Sequence, residues 1–225
     1  MFEKMREKWT RMIQPLVEMM GDLNPSTLTW ASLVVAISSF FLLMDAGFDS
    51  QGSLAIIAGV ILFLIAGIMD ALDGALARKQ GVDGPYGDFL DHTIDRIVDV
   101  GILVAIGMNS EFIDSPESGL MAGLLTLFGS YMGTQAQSVG LGRIYGGFSR
   151  ADRMVLTMFG LIVASLQAQS ILGVIDLSSM HEISRWILLG NSELNGMSFV
   201  LSVSAWGGAY TFITRFIITR RRLLE

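Results

Sequence analysis

An all-α polytopic membrane protein, with six transmembrane helices behind an N-terminal amphipathic interfacial helix, is predicted by three features of the sequence. The chain of 225 residues is 52% hydrophobic and only 16% charged, where a soluble domain carries about 25% charged residues. Apolar runs near ~20 residues recur along it, the length a helix needs to cross the hydrocarbon core of a bilayer. The cationic residues, finally, gather in alternate connections rather than throughout.

The first element, residues 1–22, carries Trp9, Met12, Ile13, Leu16, Val17 and Met20 at three- and four-residue steps. That spacing lines one helical face with apolar side chains and leaves Lys4, Lys8 and Arg11 to the other, as in a helix lying in the membrane interface. A soluble helix packed on the protein itself has the same pattern. The charges exclude a cleavable signal peptide, whose apolar stretch tolerates few of them. Six spans follow, at about 27–46, 53–73, 89–109, 119–140, 153–170 and 197–218. Residues 171–196 form a long, partly apolar connection, with a short helix expected around Ile183–Leu189.

Six spans put both termini on one side. Lys4, Arg6, Lys8 and Arg11 precede span one, Arg78 and Lys79 follow span two, Arg143 and Arg150 follow span four, and Arg220, Arg221 and Arg222 follow span six. All these lie on one face in a six-span arrangement, which the positive-inside rule makes cytoplasmic. Asp49, Glu111, Asp114, Glu117 and Glu193 mark the opposite loops, with Arg185. No repeat or linker divides the chain, so a single membrane domain, 1–225, is expected. With no cysteine, disulfides and thiolate metal sites are excluded.

Ionised carboxylates are costly in a membrane and mark function there. Asp70 and Asp73 end span two; Asp88, Asp91, Asp95 and Asp99 step by three and four along the start of span three. Each set shares one helical face. The connection Gly74–Gly87 is short enough to make the two helices antiparallel neighbours. Converging carboxylates would repel unless a cation neutralised them, and oxygen-only ligands suit hard divalent ions such as magnesium, manganese or calcium. His92 lies inside this stretch but off the acidic face, and neither it nor His181 has partners at metal-ligand spacing. A cation transporter using the aspartate cluster as its ion site is the alternative. It would place carboxylates at helix breaks near mid-membrane, whereas these lie near the cytoplasmic ends of their spans.

The segment reads Asp70-x-x-Asp73-Gly74-x-x-Ala77-Arg78, eight residues, then Gly87-x-x-x-Asp91-x-x-x-Asp95. It resembles the signature of the CDP-alcohol phosphotransferase family at every fixed position and both spacings. The resemblance covers residues 24–156 in detail. It implies a membrane phospholipid synthase that transfers a substituted phosphate from a CDP-lipid to a small alcohol and releases CMP. Asp70, Asp73 and Asp91 would then ligate one divalent ion, magnesium or manganese, and Asp70, Asp91 and Asp95 a second. Asp95 would also be the catalytic base. Gly74 and Ala77 would leave room for the cytidine, and Arg78 would pair with the diphosphate. Gly84 and Gly87 would lie along the CDP-lipid, although relatives often carry Ser or Thr where Gly84 stands. The stretch Asn24-Pro25-Ser26-Thr27-Leu28-Thr29 is similar to the family's nucleotide-binding segment before span one; it is equally an ordinary helix start. The resemblance also implies a homodimer among membrane lipids, with no nucleic-acid partner.

On the acceptor side, Gly146–Arg153 is similar to the loop of inositol-phosphate and related synthases that carries two arginines spaced by three. Arg150 and Arg153, with Arg143 nearby, would bind a phosphate on the acceptor, which favours a phosphorylated polyol such as glycerol phosphate or inositol phosphate. The same arginines serve equally as topology markers. Inositol-phosphate synthases resemble Ser130–Gln137 but place basic residues where Gly133 and Gln135 stand. The stretch Ser130–Gly147 is closer to archaeal members, whose lipid donor would be CDP-archaeol rather than CDP-diacylglycerol.

Overall fold

A computed structural model describes residues 13–142, 144, 146–179 and 182–225. Residues 1–12, which carry Lys4, Arg6, Lys8 and Arg11 and the apolar Trp9 and Met12, lie outside them, as do Arg143 and His181. Helix α1 covers residues 13–19 and is followed by α2 (Pro25–Met44), α3 (Ser50–Gln80), α4 (Pro85–Gly107), α5 (Glu117–Ser138), α6 (Arg150–Ala168), α7 (Glu182–Ile187) and α8 (Gly196–Leu224). The architecture is helical, with one departure from the all-α expectation. Within the long connection Ile175–Asp176 (β1) pairs antiparallel with Glu193–Leu194 (β2) on either side of α7, itself close to the short helix expected.

The chain divides into two compact units, one of residues up to Ser38 with Ile61–Val98, the other Ser39–Val60 with Asp99–Glu225. In the first, Ile13 and Val17 of α1 are buried with Leu28 of α2 and Leu72 and Leu76 of α3. The apolar face of α1 therefore packs on the protein, while Leu16 and Met19 stay exposed. Two side chains from the end of α3 fasten α1 and the segment after it: Lys79 Nζ donates to the Val17 carbonyl and Gln80 Nε2 to those of Gly21 and Leu23.

Helix α3 runs beyond the predicted end of its span. Residues 75–80 (Ala-Leu-Ala-Arg-Lys-Gln) are strong helix formers, and Arg78 and Lys79 in the last turn suit the negative end of the helix dipole. Gly81, at φ +66°, then provides the left-handed stop. The connection expected over Gly74–Gly87 thus shrinks to residues 81–84, and Pro85 opens α4 with a missing donor at a position that has no use for one.

In the second unit α8 packs along α5 and α6. Gly107 of α4 and Gly119 of α5 let two backbones meet: a Cβ built on Gly119 would lie 2.7 Å from Gly107 Cα. Three buried asparagines organise the connections at one end of this unit. Asn109 Nδ2 donates to the Leu43 and Ala46 carbonyls at 2.7 and 2.9 Å, closing the open end of α2. Asn191 Oδ1 accepts from the backbone of Asp114, and Asn195 caps α8 in a reciprocal box with Ser198. Nearby, Asp114 accepts from the hydroxyl and backbone N–H of Ser192, which together hold its carboxyl below the usual range.

Helices α2, α3 and α6 are long and apolar enough to cross a membrane. Large apolar side chains such as Phe41, Leu54, Ile61 and Phe159 are exposed along them, which suits helices solvated by lipid.

Candidate active site

In the first unit α3 presents Asp70 and Asp73, and α4 presents Asp91 and Asp95. One carboxylate oxygen each from Asp70, Asp73 and Asp91 lies within 4.8 Å of the others. Asp91 and Asp95 form a second such group with His92. The histidine corrects the sequence reading, which set it off the acidic face. Successive helical residues diverge by about 100° at the backbone, but the imidazole reaches back, and its Nδ1 stands 3.7 Å from Asp91 Oδ2. Asp88 is exposed and belongs to neither group, and Asp99 also lies outside both.

Burial grades the four aspartates. Asp73 and Asp95 are buried, while Asp70 and Asp91 are partly open. Thr29, one turn into α2, donates its hydroxyl to Asp73 Oδ2 at 2.5 Å, with both residues 5% exposed. Spacing gives Thr29 no role of its own; its signal in the sequence is a hydroxyl within a run that otherwise becomes apolar. Its neighbours are accounted for locally. Asn24 Oδ1 accepts from the Ser26 N–H at 3.0 Å and Thr27 N–H donates to the Asn24 carbonyl, so Asn24-Pro25-Ser26-Thr27 forms the cap and first turn of α2. The oxygen donors of Asp70, Asp73 and Asp91, drawn together despite like charge, fit a hard divalent cation, and Asp95 joins Asp91 and His92 rather than Asp70.

Around the aspartates the small residues leave space. A Cβ on Gly74 would meet the Arg78 guanidinium at 3.3 Å, so a larger residue there would displace it. Arg78 is exposed and Ala77 half-buried on the turn that follows. Gly84 and Gly87 have open space where a side chain would stand.

The second unit holds the basic cluster. Arg150 and Arg153, expected in a loop, are in the first turns of α6. A capping box fixes this start: the Ser149 hydroxyl accepts from Asp152 N–H, and the Asp152 carboxylate accepts from Ser149 N–H. Arg153 is 8% exposed; it donates to the Phe148 carbonyl at 3.1 Å and, through Nη2, to Asp99 Oδ2. Arg150 Nε lies 3.4 Å from Asp99 Oδ1. Asp99, read from sequence as part of the acidic face, is thus the counterion of two arginines. Arg215 of α8 donates to the Gly129 carbonyl at 2.9 Å, and its Nη1 lies 3.0 Å from where a Cβ on Gly133 would stand. Sequence reasoning missed this cation beside Gly133 because it comes from a distant helix.

The sequence profile of the CDP-alcohol phosphatidyltransferase family matches residues 22–177. The chain is 26% identical to the phosphatidylinositol phosphate synthase of Cutibacterium acnes over 98% of both chains. It is 32% identical to the archaetidylinositol phosphate synthase of Methanothermobacter thermautotrophicus, over 74% of this chain and 80% of that one. Its fold is similar to that of the phosphatidylinositol phosphate synthase of Mycobacterium tuberculosis with CDP-DAG bound, at a TM-score of 0.66 and 20% identity, covering 93% of this chain and 94% of the other. The same enzyme in complex with manganese and citrate gives a TM-score of 0.65 at 21% identity, covering 92% and 88%.

Proposed function

The chain belongs to the CDP-alcohol phosphatidyltransferase family, and from that membership we propose that it joins a CDP-lipid to a phosphorylated polyol and releases CMP. The observation that carries this is the convergence of Asp70, Asp73 and Asp91, with Asp95 one turn further along α4. The names of the relatives favour inositol phosphate over glycerol phosphate as acceptor. Because those relatives include both archaetidyl and phosphatidyl enzymes, CDP-archaeol and CDP-diacylglycerol both stand as donors. Nothing favours ion transport.

Asp70, Asp73 and Asp91 would hold one divalent ion, and Asp70, Asp91 and Asp95 a second. Bound there, magnesium or manganese would neutralise and orient the diphosphate. Asp95 takes the proton from the acceptor hydroxyl. That oxygen then forms a bond to the β-phosphorus while the bond from this phosphorus to the bridging oxygen of CMP breaks. Arg78 pairs with the diphosphate. Gly74 and Ala77 admit the cytidine, Asn24, Pro25, Ser26 and Thr27 border it, and Gly84 and Gly87 leave room beside the phosphates. Arg150 and Arg153, with Arg143, bind the acceptor's phosphate. Residues 1–225 form one membrane domain of six spans, with both termini cytoplasmic and residues 1–22 in the interface, and the working form is a homodimer. The exposed Leu16 and Met19 and the placement of Lys and Arg support the topology.

The test is CMP release by the purified enzyme with CDP-diacylglycerol or CDP-archaeol and a panel of inositol phosphate, glycerol phosphate and serine, with manganese and after chelation. CMP should appear with a phosphorylated polyol and only with metal. Release with serine alone would overturn the acceptor assignment, and a full rate after chelation would overturn the metal site.

A further inference from the structure

We propose that Asp99 is a positioning residue for the acceptor: its carboxylate holds Arg150 and Arg153 together as a paired grip on phosphate. This rests on the reading of those two arginines as the acceptor-phosphate site. Asp99 is 6% exposed and continues the acidic register of α4, yet its two oxygens face cations. One accepts from Arg153 Nη2, and the other lies 3.4 Å from Arg150 Nε.

Three features make this more than an ion pair. First, two guanidiniums beside one another repel, and a carboxylate between them offsets that repulsion. Second, the geometry around Asp99 is braced. The Ser149–Asp152 box sets the start of α6, the three-residue step puts both arginines on one face, and the Phe148 carbonyl takes a further Arg153 proton. Third, buried ion pairs are often no better for stability than a packed apolar pair, so stability alone is a poor reason to gather three ionised groups here. Arg153 is held almost out of solvent, whereas the Arg150 side chain is 27% exposed. Without the carboxylate, the ionic link common to the two guanidiniums is lost, and a phosphate no longer meets them held as a pair. A phosphorylated acceptor loses affinity in that case; the CDP-lipid does not.

The experiment is steady-state kinetics of Asp99→Asn, Asp99→Glu and Arg153→Ala with the phosphorylated polyol that the wild-type enzyme uses. Asp99→Asn should raise the acceptor KM on the order of tenfold and leave the CDP-lipid KM and the manganese dependence unchanged. Asp99→Glu, which keeps the charge, should recover part of the loss. If Arg153→Ala raises the acceptor KM while Asp99→Asn leaves it unchanged or lowers it, the acceptor site stands and this inference falls; Asp99 then merely competes with phosphate. If neither substitution moves the acceptor KM, the acceptor site itself is wrong, and the inference falls with it. Should Asp99→Asn fail to fold, Asp99→Glu decides: a rise in acceptor KM alone supports positioning, and an unchanged acceptor KM or an equal loss in all parameters overturns it.

Discussion

Replacing Thr29 by Val tests whether the hydroxyl behind the metal aspartates matters. The two side chains have similar shape, so the substitution removes the donor to Asp73 Oδ2 and, besides that, only the longer 3.2 Å contact of the same hydroxyl with the Pro25 carbonyl within α2. That hydrogen bond is 2.5 Å long, joins a hydroxyl to a carboxylate, and both residues are 5% exposed. A hydrogen bond to a charged group contributes about 1.5–3 kcal/mol net, and burial leaves no water to replace it. At about 1.4 kcal/mol per decade this is roughly ten- to a hundredfold in an equilibrium constant, the range in which outer-shell partners of metal ligands act. The loss should fall on metal affinity, since the hydroxyl fixes the orientation of one ligand and touches no other group of the cluster. The assay is CMP release against manganese concentration. Half-saturation should move up by that factor, turnover should recover at saturating manganese, and Thr29→Ser, which keeps the donor, should stay near wild type. A Thr29→Val enzyme with the wild-type manganese dependence would refute the reasoning and reduce the contact to helix packing between α2 and α3.

Asp95→Asn should lower turnover by about two to four decades, the usual effect of losing a positioned base, and leave CDP-lipid binding nearly intact because Asp70, Asp73 and Asp91 remain. Near-normal turnover would transfer the role to another group. Gly119→Ala should destabilise the fold without touching the chemistry: its Cβ would stand 2.7 Å from Gly107 Cα and 2.8 Å from the Leu103 carbonyl oxygen, backbone that cannot rotate away. Overpacking of this kind costs about 1–3 kcal/mol, to be read as a lower melting temperature in detergent with unchanged KM values; an unchanged melting temperature would mean that α4 and α5 can separate at that point.

The helices were legible in the sequence to the extent that apolar runs define them, and they were misjudged where other forces set the ends. Span two was expected to stop at residue 73 because hydropathy falls there. Hydropathy reports solvent, not backbone, and the helix continues through residues 74–80 on intrinsic propensity until Gly81 turns it. The resemblance of Gly146–Arg153 to the family's arginine-bearing loop puts Arg150 and Arg153 in a loop, where the structure has the first turns of α6. The sequence Ser149-x-x-Asp152 was the contrary signal, a capping box that starts the helix at Arg150. The two-residue pairing of β1 with β2 had no local signature to read.

For the site, the contrast lies between spacing and partnership. Asp70, Asp73, Asp91 and Asp95 could be grouped from sequence because spacings of three and four on two helices joined by a short turn leave little freedom. Asp99 shares that spacing and was grouped with them on the same logic. Its partner lies 54 residues away, on a helix whose phase the pattern of α4 cannot reveal. Thr29 and Asp73, 44 residues apart, are hidden in the same way. A general argument would nevertheless have narrowed the search. Each of these side chains occupies a position that its span buries, and a buried polar group without a partner is too unfavourable to persist. A hydroxyl in an apolar run therefore requires an acceptor, and a carboxylate beyond the metal ligands requires a cation. The cations in the flanking segments reduce the choice for Asp99 to a few arginines, two of which stand three residues apart. Unexplained polar residues in membrane spans are best read as halves of pairs, each constraining where the other must be.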